Sequence, residues 1–120
     1  MKTLAQRRAA MALNHKDVKV EGQKGGDAIS GIPMLIKTDG LLAALAFAVE
    51  CKDGDRNKLK HEGENRIAAA VADHLQSEKI CDAKTPWDLV EELARADATT
   101  LRRATAEALA FLNYLKRFVA

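Results

Sequence analysis

An all-α fold, one compact bundle of about six helices around a central apolar helix at 40–52, is what this sequence predicts. Alanine is abundant, aromatic residues make up only 4% of the chain, and no run of β-branched residues occurs. That composition favours helix over strand. Apolar residues also recur at helical spacing in several separate segments. A chain of 120 residues fits a single domain, 1–120, able to bury roughly two thirds of its unfolded surface without staples.

The first helix is expected from Thr3 to about Val20, with Thr3 as cap and Gln6 at capping-box spacing. Leu4, Met11 and Val18 form its apolar row, flanked by Arg8 and His15. The glycines of "EGQKGGD", Glu21 to Asp27, break it and make an exposed tip, without the spacing of a phosphate-binding loop. A short second helix is read at Ile29–Thr38. It starts near Ser30–Ile32, so that Pro33 falls in the first turn.

Thr38 or Asp39 is then read as the cap of a third helix, Gly40 to about Lys52. Its core, Leu41 to Val49, is apolar all round, which predicts burial on all sides. The run is too short to span a membrane, because Lys37 and Asp39 interrupt the apolar stretch. The first twenty residues carry scattered basic groups rather than a secretory signal. A cytoplasmic protein without a membrane partner is therefore expected.

"KDGDRNKLKHEGE", Lys52 to Glu64, reads as an exposed charged loop. The fourth helix, about Glu64 to Lys79, sets Ile67, Ala70, Val71, His74 and Leu75 on one stripe, with His74 as a hydrogen-bonded histidine at the core edge. Thr85 caps the fifth, with Pro86 in its first turn and Trp87, Leu89, Val90 and Leu93 inward. Asp97 or Thr99 caps the last helix, which runs to about Val119. At about 100° per residue, Leu101, Ala104, Ala108, Phe111, Leu112, Leu115, Phe118 and Val119 share one side of it. Arg102, Arg103, Ala106, Ala110, Asn113 and Arg117 share the other, with Lys116 at the border. Its outward side is thus basic, and small in its middle.

Net charge is only +2. Its distribution is uneven, with basic chain ends and an acidic stretch at Asp82, Asp88, Glu91, Glu92 and Asp97. Such blocks mark partner surfaces. Nothing points to catalysis: no carboxylate pair has an apolar surround, no Ser or Cys has an evident base, and the three histidines lie far apart. Cys51 and Cys81 lack metal-type spacing. No catalytic residue, metal or cofactor is expected.

The stretches "QRRAAMA", "GIPMLIKTDGLLAALAF", "WDLVEEL" and "RRATAEALAFLNYLKRFVA" together resemble the small subunit family of the type III-B CRISPR effector, the Cmr complex. Matching positions include Arg8, Ala9, Ala12, Pro33, Gly40, Leu41, Phe47, Arg102, Thr105, Glu107, Leu112, Lys116 and Arg117. Asp39 replaces the usual Asn, and Tyr114 the usual Trp. The resemblance implies a helical bundle without a catalytic centre, whose copies stack end to end along the groove holding guide RNA and target RNA. Its implied partners are the backbone and large subunits of that complex, copies of itself, and the RNA backbone.

Against that role, Arg7, Arg8, Lys37, Arg102, Arg103, Lys116 and Arg117 are the expected RNA-binding residues, with Lys19 extending the same surface. Positive groups spaced along a surface suit sequence-independent backbone contact. Arg103 is also spaced to pair with Glu107 one turn on. Asp88, Glu91, Glu92 and Tyr114 are the expected subunit contacts. The alternative is a free-standing helical adaptor or protein-interaction module. A helix-turn-helix DNA reader is disfavoured, because the second helix of the corner at 39–40 carries no base-reading side chains.

Overall fold

A computed structural model describes residues 1–18 and 27–119. Among them lie six helices, α1 (Leu4–Asn14), α2 (Asp27–Asp39), α3 (Leu41–Ala48), α4 (Glu62–Ser77), α5 (Pro86–Arg95) and α6 (Ala98–Phe118), and one hairpin, β1 (Cys51–Lys52) and β2 (Asp55–Leu59). The all-α expectation holds for everything but that hairpin.

α1 begins as its capping box requires. The Thr3 hydroxyl accepts from the Gln6 amide at 3.1 Å, and the Gln6 side chain accepts from the Thr3 amide at 2.8 Å. It stops at Asn14 rather than near Val20, because Asn14 and His15 are weak helix formers and His15 turns to Asp73 at 2.8 Å. Only Ala12 of α1 is buried. The predicted tip at Glu21–Gly26, and Lys19 with it, lie outside the described residues.

Pro33 sits inside α2, not in its first turn. An interior proline costs about 3 kcal/mol. The helix nevertheless continues through it, since Ala28, Ile32 and Ile36 form one buried stripe across the proline. Burying each isoleucine contributes about 1.5–3 kcal/mol.

Between α2 and α3 the chain turns on Gly40, at φ 93° and ψ 163°. Gly40 occupies the N-cap position itself, without a side-chain cap. The expected cap Thr38 donates instead to the carbonyls of Met34 and Leu35. That backbone region is open essentially to glycine alone. A methyl group there would meet nothing within 4 Å, so any cost is strain rather than collision. Gly40→Ala is expected to destabilise the fold by about 2 kcal/mol and to lower Tm by roughly 8 °C in a thermal melt.

α3 is not buried on all sides. Leu41, Ala44, Leu45 and Ala48 face the core, while Ala43 and Ala46 are exposed and Leu42 and Phe47 half-buried. The helix also ends at Ala48, short of Lys52. The reason is geometric: α3 packs against α2, α4 and α5 and only lightly against α6, which leaves one flank open.

The expected loop at 52–64 folds instead as the hairpin and the first turn of α4. Asp53 and Gly54 take φ 55° and 70°, the primed-turn signature that an Asp-Gly pair supports. Cys51 pairs with Leu59 and Lys52 with Asp55, across a bulge. Two strands alone are marginal; here Arg56 lies 4.0 Å over the Trp87 ring of α5, and His61 stacks on Phe47 of α3 at 3.9 Å.

α4 carries its predicted stripe inward, His74 included. α5 begins at Thr85, whose hydroxyl accepts from the Asp88 amide, with Leu89 and Leu93 buried and Trp87 and Val90 half-buried. Asp97, not Thr99, caps α6 by accepting from the Thr100 amide at 2.7 Å. The centre is filled by Phe111, Leu112 and Leu115 of α6 with Ile67 and Leu75 of α4 and Leu89 of α5.

Candidate nucleic-acid interface

α6 lies between α1 on one flank and α2 and α3 on the other. Its inward stripe, Ala104, Ala108, Phe111, Leu112 and Leu115, is buried, and its outward ridge is not. Arg102, Arg103, Ala106, Asn113, Lys116 and Arg117 are all exposed. Among the described residues no carboxylate lies within ion-pairing distance of Arg102, Arg103, Lys116, Arg117 or Lys37. Arg102 only adds to the lowering of the Asp97 carboxyl, which comes first from its hydrogen bond with Thr100. At 1.5 Å per residue the ridge from Arg102 to Arg117 is about 22 Å long.

Lys37 of α2 joins that ridge. With Pro33, Leu109, Asn113 and Lys116 it lines a cleft of about 150 Å³. Further along, Leu42 and Gly40 meet Leu101, Arg102, Ala106 and Leu109 around an open apolar groove of about 570 Å³. On the other flank, Arg8 of α1 and Ala110, Asn113, Tyr114 and Arg117 of α6 line a cleft of about 410 Å³.

Arg7 and Arg8 are held differently from the ridge cations. The Arg7 guanidinium donates to Glu78 at 3.0–3.2 Å and to the Lys2 carbonyl at 2.9 Å. Arg8 donates through Nε and Nη2 to Glu107 at 2.6 and 2.9 Å. His74, buried and stacked on Phe111 at 4.6 Å, reaches the same carboxylate through Nε2 at 2.9 Å. An ionised carboxylate only accepts, so Nε2 carries the hydrogen and the buried Nδ1 is left without a hydrogen-bond partner. Burial pushes the Glu107 carboxyl up, but the hydrogen bonds from Arg8 and His74, with the Arg8 charge, outweigh it, and the net shift is down. The Glu107 hydrogen bond, in turn, raises Arg8. The expected Arg103–Glu107 pair does not form, because Glu107 faces inward between Ala104 and Phe111.

Of the expected subunit contacts, Asp88 and Glu91 are exposed. Glu91 accepts from the Trp87 ring N–H at 2.6 Å, and Glu92 accepts from the Asp82 and Ala83 amides at 2.9–3.1 Å. Glu92 thus ties Asp82 and Ala83 to α5. Tyr114 groups with the cations of α6 and α1 rather than with these carboxylates.

The sequence reading missed Glu107 and His74 as a joint hub, and Asn113 as a cleft residue. The available signal was a glutamate at 107 on the same stripe as Ala104, Ala108 and Phe111. Among the described residues no group of His, Cys, Asp or Glu is placed to hold a metal, and no helix is long and apolar enough to cross a membrane. Both cysteines are free, and burial pushes the Cys81 thiol up to about 12, which makes it a poor nucleophile.

The chain matches the family model described as CRISPR-associated protein (Cas_Cmr5) over residues 4–120. It is similar to an X-ray crystal structure described as a CRISPR-associated Cmr5 family protein from Thermus thermophilus. Identity is 25%, the match covers 98% of this chain and 95% of that one, and the TM-score is 0.69. A comparison with curated proteins gave no significant match.

Proposed function

The chain belongs to the Cmr5 family of CRISPR-associated proteins, the small subunit of the Cmr effector complex, and on that premise we propose that it is a non-catalytic cytoplasmic part that stacks head to tail and lines the groove holding guide RNA and target RNA. The observation that carries this reading is the α6 ridge. Its cations, Arg102, Arg103, Lys116 and Arg117, are exposed and unneutralised among the described residues. Holding several like charges on one helix face without internal partners favours a polyanion outside. In an RNA-guided complex base pairing reads the sequence, so the protein needs only backbone and shape. Lys37 extends the ridge toward α2, and Arg7 and Arg8 act mainly as positive walls, their best donors being spent on Glu78 and Glu107.

Stacking fits one further feature. Asp88 and Glu91 of α5 offer an exposed acidic face to the cations of a following copy. Backbone and large subunits would meet the remaining surface. One salt series on the full chain tests both halves. RNA affinity should fall as salt rises, with a log–log slope of about −0.7 to −0.9 per phosphate contacted. Sedimentation should show weak self-association that salt disperses. Flat RNA binding would remove the backbone-contact reading; association strengthened by salt would replace charge-led stacking with apolar stacking.

A further inference from the structure

A ridge that reads only phosphates needs no cleft beside it and no aromatic ring. The cleft between α1 and α6 has both. It is an open cleft of about 410 Å³. Ala110, Asn113, Tyr114 and Arg117 line it at i, i+3, i+4 and i+7 of α6, a stripe about 10 Å long. Ala110 leaves the floor open. Tyr114 is half-buried, packed on Phe118 with ring centres 6.5 Å apart, and still reaches the cleft. Asn113 is exposed and brings a donor and an acceptor on one planar group.

Across from them Arg8 is fixed by two hydrogen bonds to Glu107, so its guanidinium plane is held rather than mobile. Such a plane stacks well on flat rings. Among the described residues that line the cleft none is acidic, and Glu107, which Arg8 binds, is also taken by His74. What remains is an aromatic ring, an amide edge, a fixed guanidinium and the charge of Arg117, which among the described residues pairs with no carboxylate. That combination matches an unstacked base with its phosphate, the form in which single-stranded RNA is usually gripped.

We propose that this cleft takes one unstacked base of the RNA strand, with its ring on Tyr114, its edge on the Asn113 amide and the adjoining phosphate on Arg117. The proposal rests on the RNA-contact reading above and adds to it a site for a base. Non-paired positions along a strand, rather than paired ones, would then be held at each subunit.

The test compares a short oligoadenylate with its abasic counterpart, titrated into the full chain at low salt. The oligoadenylate should bind roughly 5- to 150-fold more tightly, the range that one stacked base supplies. Tyr114→Ala should lose that difference, while Tyr114→Phe and Tyr114→Trp keep it; circular dichroism checks that each variant folds. Tyr114 is the chain's single tyrosine, so its ring signals are an unambiguous NMR reporter. They should shift upfield with the oligoadenylate and not with the abasic strand.

Equal binding of both strands, weakened by salt, would overturn the base site and leave the backbone reading intact. Binding of neither would remove both. Ring signals that move with protein concentration and not with RNA would assign the cleft to another copy of the chain instead.

Discussion

Glu107→Ala should cost about 3 kcal/mol of stability, and Tm should fall by roughly 10 °C. The carboxylate serves two partners at once, Arg8 at 2.6 and 2.9 Å and His74 at 2.9 Å. Removing it leaves the His74 N–H with no partner in a site that is 1% exposed. Breaking a buried charged pair generally costs about 3–5 kcal/mol. The lower end applies because the Arg8 side chain is 24% exposed, and water re-solvates it. The loss should also be uneven. α1 fully buries only Ala12, with Met11 partly buried against the core, so its docking leans on Arg8–Glu107 and on two outer pairs to α4 and its C-cap, His15–Asp73 and Arg7–Glu78. Hydrogen exchange should therefore rise first in α1, with the α4–α6 core following. A variant with unchanged Tm and unchanged α1 protection would show that the helix is held by other contacts.

The same site sets an acid limit. Folding lowers the Glu107 carboxyl below its ordinary value. The stability it contributes is complete above the unfolded carboxylate range, about pH 4.3. It is lost as pH falls through the lower, folded value. The capping carboxylate Asp97 shifts in the same direction. Glu107→Gln should flatten part of the acid limb of a stability–pH curve while leaving the neutral limb parallel to that of the native chain.

Much of this was legible in the residues. Thr3 with Gln6, Thr85 before Pro86, and the α6 periodicity each fix an element locally, and all three appear as expected. Readings that needed tertiary knowledge fared worse. Pro33 signalled a helix start, yet the Ala28, Ile32 and Ile36 stripe carries the helix through it. The all-apolar face of α3 implied enclosure, but composition cannot say how many neighbours will be available. The hairpin was hidden because β2, Asp55–Leu59, has no apolar alternation; its local signal was the Asp53-Gly54 pair, and the anchor, Arg56 on Trp87, is distant in sequence.

The candidate interface divides in the same way. Helix period alone placed Arg102, Arg103 and Arg117 outward. What period could not supply was the fate of Arg7 and Arg8, since Glu78 and Glu107 reach them from far along the chain. Nor could it show the clefts, which exist only where α1 and α2 flank α6.

Reversing the ridge charges together should weaken RNA binding along α6 and flatten its salt dependence while sparing the fold. Arg102, Arg103 and Arg117 are exposed and, among the described residues, unpaired with any carboxylate. Surface changes away from such partners usually move stability by about 0.5 kcal/mol or less. Glutamate is as good a helix former as arginine, and only Arg117→Glu in the last turn adds a dipole penalty of about 0.3–1 kcal/mol. The helix therefore survives with its field inverted. Every phosphate that the ridge no longer neutralises should flatten the salt slope by about 0.7–0.9, so the triple variant should show a slope shallower by about two to three units, together with weaker affinity.

The deciding measurement is the affinity of the full chain for a guide–target RNA duplex across a salt series, native against Arg102→Glu, Arg103→Glu and Arg117→Glu combined. A steep native slope that collapses in a variant of unchanged helicity is the expected result. Matching slopes and affinities in the two proteins would contradict a role for the α6 ridge in holding RNA.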